Sequence, residues 1–194
     1  MSIQVLRADT REVRPWKNGG GLTCEIAASP EHAGLSDFDW RVSMAVVEAA
    51  GPFSVFPGVD RLMLILEGRL ELEIAGAERL FIDETAPAAE FPGDAVVTAL
   101  APAAPVTDIN VMVRRGRFTA SVERRRIEGG AAVVCQDMTL VVTRAGGLTA
   151  ALGAQRCQLD EADAIRVDAA RGALLRLRLA TPDEVIVVHV NAVR

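Results

Sequence analysis

No stretch of this chain carries a long, capped apolar pattern of helical period. The sequence breaks instead into short apolar or alternating runs at residues 22–27, 40–47, 62–66, 70–74, 79–83, 95–100 and 108–114. The second half repeats the habit at residues 118–127, 131–135, 139–144, 155–159, 174–179 and 185–190. Gly, Pro, Asp or Ala-Pro punctuates the intervals, which marks the runs as strands joined by turns. Many short strands with frequent turns predict an all-β fold, a β-sandwich or barrel.

An internal repeat narrows this further. Residues 76–84, Gly-Ala-Glu-Arg-Leu-Phe-Ile-Asp-Glu, align with residues 153–161, Gly-Ala-Gln-Arg-Cys-Gln-Leu-Asp-Glu, with five of nine positions identical at an offset of 77. Gly68 opens the preceding run in the first half, and Gly146 or Gly147 does so in the second. Asp94-Ala95 follows in the first half, and Asp168-Ala169 in the second. A matching order of elements predicts a duplication. The halves would be two small β-barrels, residues 1–116 and residues 117–194, joined near residues 116–127.

Length and charge set outer limits. The 194 residues suffice for one large domain or two small ones, and half of them are hydrophobic, so a sizeable core can form. A net charge of −5 leaves no basic excess to collect phosphates, which argues against a nucleic-acid partner. No apolar run reaches the roughly 18–20 residues of a membrane helix, and residues 1–9 lack a signal-peptide core. These features predict a cytoplasmic protein with no membrane partner. Cys24, Cys135 and Cys157 stand at no metal-like spacing and read as reduced, buried thiols.

Of the 21 basic residues, 20 are Arg and one is Lys17, and Asn occurs only at 18, 110 and 191. In a composition that thins out Lys and Asn, the survival of Lys17 beside Asn18 marks a place that needs an amine and an amide. Lys is a compact charge that Arg does not replace well at a small anion site. The plainer alternative is chance together with Asn-Gly as a turn former. Gly19-Gly20-Gly21 then lets the chain bend and approach closely before the strand at Leu22.

Several segments together resemble the HutD/Ves family. They are Pro15-Trp16-Lys17-Asn18-Gly19-Gly20-Gly21-Leu22-Thr23, Phe38-Asp39-Trp40-Arg41-Val42-Ser43, and Gly51 to Arg61 followed by Leu66-Glu67-Gly68. Asp108-Ile109-Asn110-Val111-Met112 and Arg114-Arg115-Gly116 complete the pattern, which runs in order over residues 13–117. The resemblance implies a duplicated cupin (bicupin), a link to bacterial histidine utilisation, and a pocket for a pathway metabolite such as urocanate or a formylated acid. It implies no established reaction.

Cupin metal sites use His and Glu ligands, and this chain has only His32 and His189, neither within the family segments. Ser54 to Pro57 stand where a His-x-His pair is expected, and Arg61 falls near the Glu place. A guanidinium cannot ligate a metal and repels one, so no metal site is expected. What remains is a polar set suited to an anion or zwitterion. Strand parity puts Thr23 and Glu25 on one face, and Arg41 and Ser43 on one face of the next run, opposite Trp40, Val42 and Met44. The polar face is expected to line a cavity and the large apolar face to belong to a core. Asp60 and Arg61 offer an acceptor and a donor fork, and Asn110 adds an amide with Arg114 toward the rim.

The expected function is binding of a small carboxylate-bearing metabolite, regulatory or sensing, with no catalytic residues and no cofactor. The ligand-binding set is Trp16, Lys17, Asn18, Thr23, Glu25, Arg41, Ser43, Asp60, Arg61 and Asn110. Lys17 or Arg61 would neutralise the carboxylate, Glu25 or Asp60 would accept from a ring nitrogen or amide, and Trp16 would wall one side. The second barrel would support the first or form a homodimer surface. Two alternatives are a metal-free isomerase or hydrolase using Glu25 or Asp60 as general base, and an interaction protein with a vestigial pocket.

Overall fold

Between the Gly, Pro and Asp breaks the chain is extended, and at the breaks it turns. The computed structural model describes residues 2–194. In chain order its strands are β1 (Ile3–Leu6), β2 (Val13–Pro15), β3 (Gly21–Ser29), β4 (Trp40–Val47), β5 (Gly51–Pro52), β6 (Val59–Glu67), β7 (Arg69–Ile74), β8 (Leu80–Asp83), β9 (Ala89–Pro92) and β10 (Val97–Ala99). They continue as β11 (Val106–Arg114), β12 (Phe118–Ile127), β13 (Gly130–Val134), β14 (Met138–Thr143), β15 (Leu148–Leu152), β16 (Gln155–Leu159), β17 (Ala164–Asp168), β18 (Leu174–Arg178) and β19 (Asp183–Ala192). The one helical element among the described residues is a 3-10 turn, Ala8–Thr10. No helix there is long and apolar enough to cross a membrane.

The strands form two compact units. Residues 12–119 make the first, and residues 120–194 with those up to Arg11 make the second. The first unit pairs a six-stranded sheet, β2-β3-β4-β11-β6-β9, with a four-stranded sheet, β5-β10-β7-β8. The second has a five-stranded sheet, β1-β17-β14-β19-β12, and a four-stranded sheet, β13-β18-β15-β16. The orders correspond strand for strand: β4-β11-β6-β9 with β12-β19-β14-β17, and β5-β10-β7-β8 with β13-β18-β15-β16. The repeated segments, residues 76–84 and 153–161, lie in the equivalent hairpins β7–β8 and β15–β16. Leu70 faces Ile82 in one, Leu148 faces Leu159 in the other, and all four are buried.

The chain's start does not follow this duplication. Ile3 to Leu6 pair antiparallel with Val167 to Ala164, so β1 completes the edge of the second unit's sheet. The division between units at Thr119 and Ala120 lies three residues beyond the expected boundary at 116, while the first eleven residues lie with the second half. Six strands had no sequence signal of their own: β1, β2, β5, β9, β15 and β17. In β9, Pro92 stands on an edge strand, where a missing N–H leaves no ladder bond unmade.

Within the first unit, Val47, Met63, Ile65, Leu70, Leu72, Ile82, Phe91, Val97, Ala99 and Val106 form a buried cluster between the two sheets. A smaller cluster of Phe38, Val59 and Met112, with Phe56 against it, lies toward the other end of the same sheet face. The second unit has its own core around Val141, Leu148, Leu159, Leu175 and Val187. All three cysteines are free, with Cys135 buried and Cys24 and Cys157 half-buried.

Gly21 is where the glycine run meets the sheet. A Cβ there would collide with the backbone oxygen of Val46 and press on the Trp16 ring, whereas at Gly20 it would make ordinary contact with Asn18. Gly21→Ala is therefore expected to lower stability by ~1–3 kcal/mol, the scale of overpacking. Urea denaturation should show a clearly smaller loss for Gly20→Ala, and equal losses would contradict the close approach.

Candidate functional site

The register of the six-stranded sheet sets the site. Glu25 faces Ser43, Ser43 faces Asn110, and Asn110 faces Met63. One row along, Arg41 faces Met112 and Met112 faces Arg61. On the other side, Thr23 faces Ala45, Ala45 faces Asp108, and Asp108 faces Ile65. Cross-strand partners share a face, so all these side chains lie on one face. It also carries Met63, Ile65, Val47 and Val106, members of the buried cluster between the sheets. The polar residues of β3 and β4 thus line the inside of the first unit. The large apolar face was expected to belong to a core, and Trp40 and Val42 on it are buried. Leu62, Leu64, Ile109 and Val111 are buried as well, on that same opposite face.

Arg61 is the centre of this surface. Its side chain is 5% exposed, and its guanidinium carbon lies 5.3 Å from the Phe53 ring centroid, 5.7 Å from Phe56 and 5.1 Å from Phe91. Three ring faces attract the cation, yet Nε has no hydrogen-bond partner and Nη1 reaches only the Ser54 carbonyl at 3.5 Å. Burial pulls the Arg61 pKa down to about 10, opposed by the charge of Asp108. Asp108 is fully buried, neither of its oxygens is hydrogen-bonded, and burial raises its pKa to about 7 against the pull of Arg61. Oδ1 of Asn110, in the row between them, is also buried without a partner. A buried donor and three buried acceptors, all unsatisfied on one surface, form an unusual concentration, because such groups are nearly always paired.

The neighbours are partnered. Arg41 Nε donates to Glu25 Oε2 at 2.7 Å, with the Arg41 side chain 11% exposed. Trp16 Nε1 donates to Thr23 Oγ1 at 2.7 Å, and its ring meets Phe53 edge-on at a centroid distance of 5.8 Å. Trp16 therefore stands beside the aromatic box around Arg61. Ser43 is buried in the central row.

Other residues from the expected set lie apart. Asn18 shapes its own turn: Gly20 N–H donates to its Oδ1 at 3.1 Å, and its Nδ2 reaches the Pro52 carbonyl at 3.5 Å. Lys17 is exposed on the same turn. Asp60 adjoins Arg61 on β6, so the two point to opposite faces. Asp60 accepts from Arg115 at 2.6 Å, and Arg115 also contacts Asp94 at 2.8 Å. Arg114 is a clasp rather than a rim group. It donates to the carbonyls of Phe38 and Pro57 at 2.9 and 3.3 Å, and to that of Ser36. The residues that sequence reasoning missed are Asp108 and the box of Phe53, Phe56 and Phe91. Parity held the signal for Asp108, since it is two residues from Asn110 on one strand.

Elsewhere, the second unit's four-stranded sheet bears a shallow depression of about 400 Å³ lined by Arg156, Arg176, Arg178, Thr149 and Leu174. Its arginines are exposed on a solvated face, and none of the expected residues lies there. Among the described residues no three His, Cys, Asp or Glu side chains gather as ion ligands. His189 belongs to an internal strand of the second unit. Its Nδ1 lies 3.1 Å from Thr139 Oγ1, and burial lowers its pKa.

With this geometry in hand, the chain compares with known proteins as follows. The HutD family model matches residues 8–187. Protein Ves of Citrobacter koseri is 40% identical over 112 residues, 57% of either chain. An uncharacterised 21.2 kDa protein in the hutC 3' region of Pseudomonas putida is 46% identical over 66 residues, 34% of either chain. These alignments span little more than half, or less, of the curated relatives' lengths. A conserved protein of unknown function from Pseudomonas aeruginosa PAO1 has a crystal structure that superposes with a TM-score of 0.90, at 30% identity over 98% of this chain and all of the other. HutD from Pseudomonas fluorescens SBW25, solved in a formate condition, superposes with a TM-score of 0.81, at 25% identity over the whole of both chains. A cupin 2 barrel protein from Leptotrichia buccalis, at 8% identity and a TM-score of 0.58, shares the fold.

Proposed function

The chain belongs to the HutD family, and we propose that it is a cytoplasmic small-molecule binding protein of histidine utilisation, using no metal and holding a carboxylate-bearing metabolite on the inner face of its first unit. The observation that carries this reading is Arg61: a buried cation, boxed by three phenylalanines, with guanidinium hydrogens left unused. A planar donor fork in an apolar setting suits a carboxylate, which accepts two parallel hydrogen bonds. Leaving such a group buried and unpaired costs free energy that a bound anion returns. Arg41 and Asn110 lie in the same and the adjoining row of the inner face, Ser43, Glu25 and Thr23 lie farther across that face, Phe53 walls the fork with Trp16 beside it, and Lys17 and Asn18 belong to the adjoining turn. Asp60 takes no part in this reading. The place in histidine utilisation rests on the family and on the hutC neighbourhood named for the Pseudomonas putida relative. In this reading the role is regulatory or sensing, and Glu25 and Asp60, the bases first considered, are engaged by Arg41 and Arg115.

A thermal-shift screen of carboxylates tests the reading. Formate serves as the smallest probe, with urocanate and N-formylated amino acids as larger ones. At least one is expected to raise the melting temperature by several degrees at about a hundred times its dissociation constant, where linkage supplies about 2.7 kcal/mol. No shift from any carboxylate would sink the proposal.

A further inference from the structure

The anion clamp leaves half of the inner face unexplained. Asp108 faces Ala45 and Ile65, two rows along the sheet from the row that holds Arg61. Two rows are four residues, about 13 Å of strand at roughly 3.4 Å per residue. The Arg61 side chain spans part of that gap, and its charge is felt at the Asp108 carboxyl. No ion pair joins them, and both Asp108 oxygens are left with no hydrogen bond at all. A carboxylate bound at Arg61 does not relieve this, because Asp108 needs donors. No donor on the sheet meets its oxygens. Arg41 is tied to Glu25, Trp16 donates to Thr23, and the facing strands present Leu70, Leu72, Val97 and Ala99.

We propose that Asp108 forms an acceptor subsite of the same pocket, receiving an N–H hydrogen bond from the ligand whose carboxylate Arg61 holds. The ligand is then a carboxylate with an amide or ring N–H several bonds away, and it is read at both ends. Buried Oδ1 of Asn110, in the row between, faces the middle of such a molecule. The inference rests on the proposed carboxylate site and adds the chemistry of the ligand's far end. Specificity follows because a ligand without the N–H leaves the Asp108 oxygens unsatisfied, and unsatisfied buried acceptors discriminate more sharply than missing apolar contact.

The test uses the whole protein and two series of probes. One series is N-formylated ω-amino acids with one to five methylenes between amide and carboxylate. The other is their N-methyl counterparts, which lack the N–H. Calorimetry on the native protein, Asp108→Leu and Arg61→Met gives three readings. The proposal expects at least one chain length to bind the native protein tenfold or more tightly than its N-methyl counterpart. In Asp108→Leu, a near-isosteric change that removes the orphaned acceptors and should preserve the fold, that preference should vanish while N-methyl binding persists. Carboxylate binding that depends on Arg61 but ignores the N–H, or a preference that survives in Asp108→Leu, would overturn the Asp108 subsite and leave the carboxylate site standing. Binding indifferent to Arg61→Met, or no binding of either series, would overturn both.

Discussion

At pH 8 the Asp108→Asn protein is expected to be more stable than the native chain by about 3–5 kcal/mol, and at pH 4 the two should agree within about 1 kcal/mol. The sign follows from where the proton sits. In the unfolded chain Asp108 ionises near its ordinary value of 3.8, while in the folded protein burial holds the proton until about pH 7. Below pH 4 both states are protonated and the group adds no pH-dependent cost. Between pH 4 and 7 the folded state binds more protons than the unfolded one, so stability falls as pH rises. Above pH 7 the loss is complete, at about 1.4 kcal/mol for each unit between the two values. Asparagine has the same shape and no charge to bury. Because every other titrating group is common to both proteins, the difference between their urea-unfolding free energies across this range isolates Asp108. Parallel curves from pH 4 to 8 would mean that the carboxyl is not buried as described.

A residue that weakens the fold in this way needs a reason to be there, and binding supplies one: groups desolvated and left unpaired are groups ready for a ligand. The same logic explains what the sequence revealed and what it hid. Alternation along β3 and β4 put Thr23, Glu25, Arg41 and Ser43 on one face, and the register keeps them there. Alternation is symmetric, however, and does not say which face the second sheet will cover. Both faces are buried, the apolar one at Val42 and Val111 and the other at Met63, Ile65 and Val106. Parity also excluded Asp60 as soon as Arg61 was chosen, because neighbours on a strand diverge, and it admitted Asp108 as soon as Asn110 was. The position of β1 is a different matter. Its pairing with β17 joins residues more than 150 apart, and nothing in four residues of Ile-Gln-Val-Leu encodes that partner. The aromatic box is equally non-local: Phe53 and Phe56 come from the loop between β5 and β6, and Phe91 from edge strand β9.

Arg61→Met is expected to weaken binding of the carboxylate ligand by about 10–150-fold, the equivalent of the ~1.5–3 kcal/mol carried by charged hydrogen bonds. Lys17→Met should change affinity less than threefold, because Lys17 is exposed and water screens its charge. The pair of variants decides which cation holds the anion. Arg61→Lys should fare little better than methionine, since a single ammonium cannot reproduce the planar fork between the rings. Stability should move the other way. Burial lowers the Arg61 pKa from 12.5 to about 10, so the guanidinium stays charged at neutral pH and its desolvation costs the fold stability. The rings return some of this through cation–π attraction, roughly 0.5–2 kcal/mol each. Methionine fills a similar volume against Phe53, Phe56 and Phe91 without a charge to desolvate, so the variant should unfold at an equal or higher urea concentration than the native chain. Loss of binding together with intact or improved stability would identify Arg61 as a ligand-holding group rather than a structural one. Loss of both would make it a structural group, and full affinity in Arg61→Met with weakened affinity in Lys17→Met would move the carboxylate out to the glycine-rich turn.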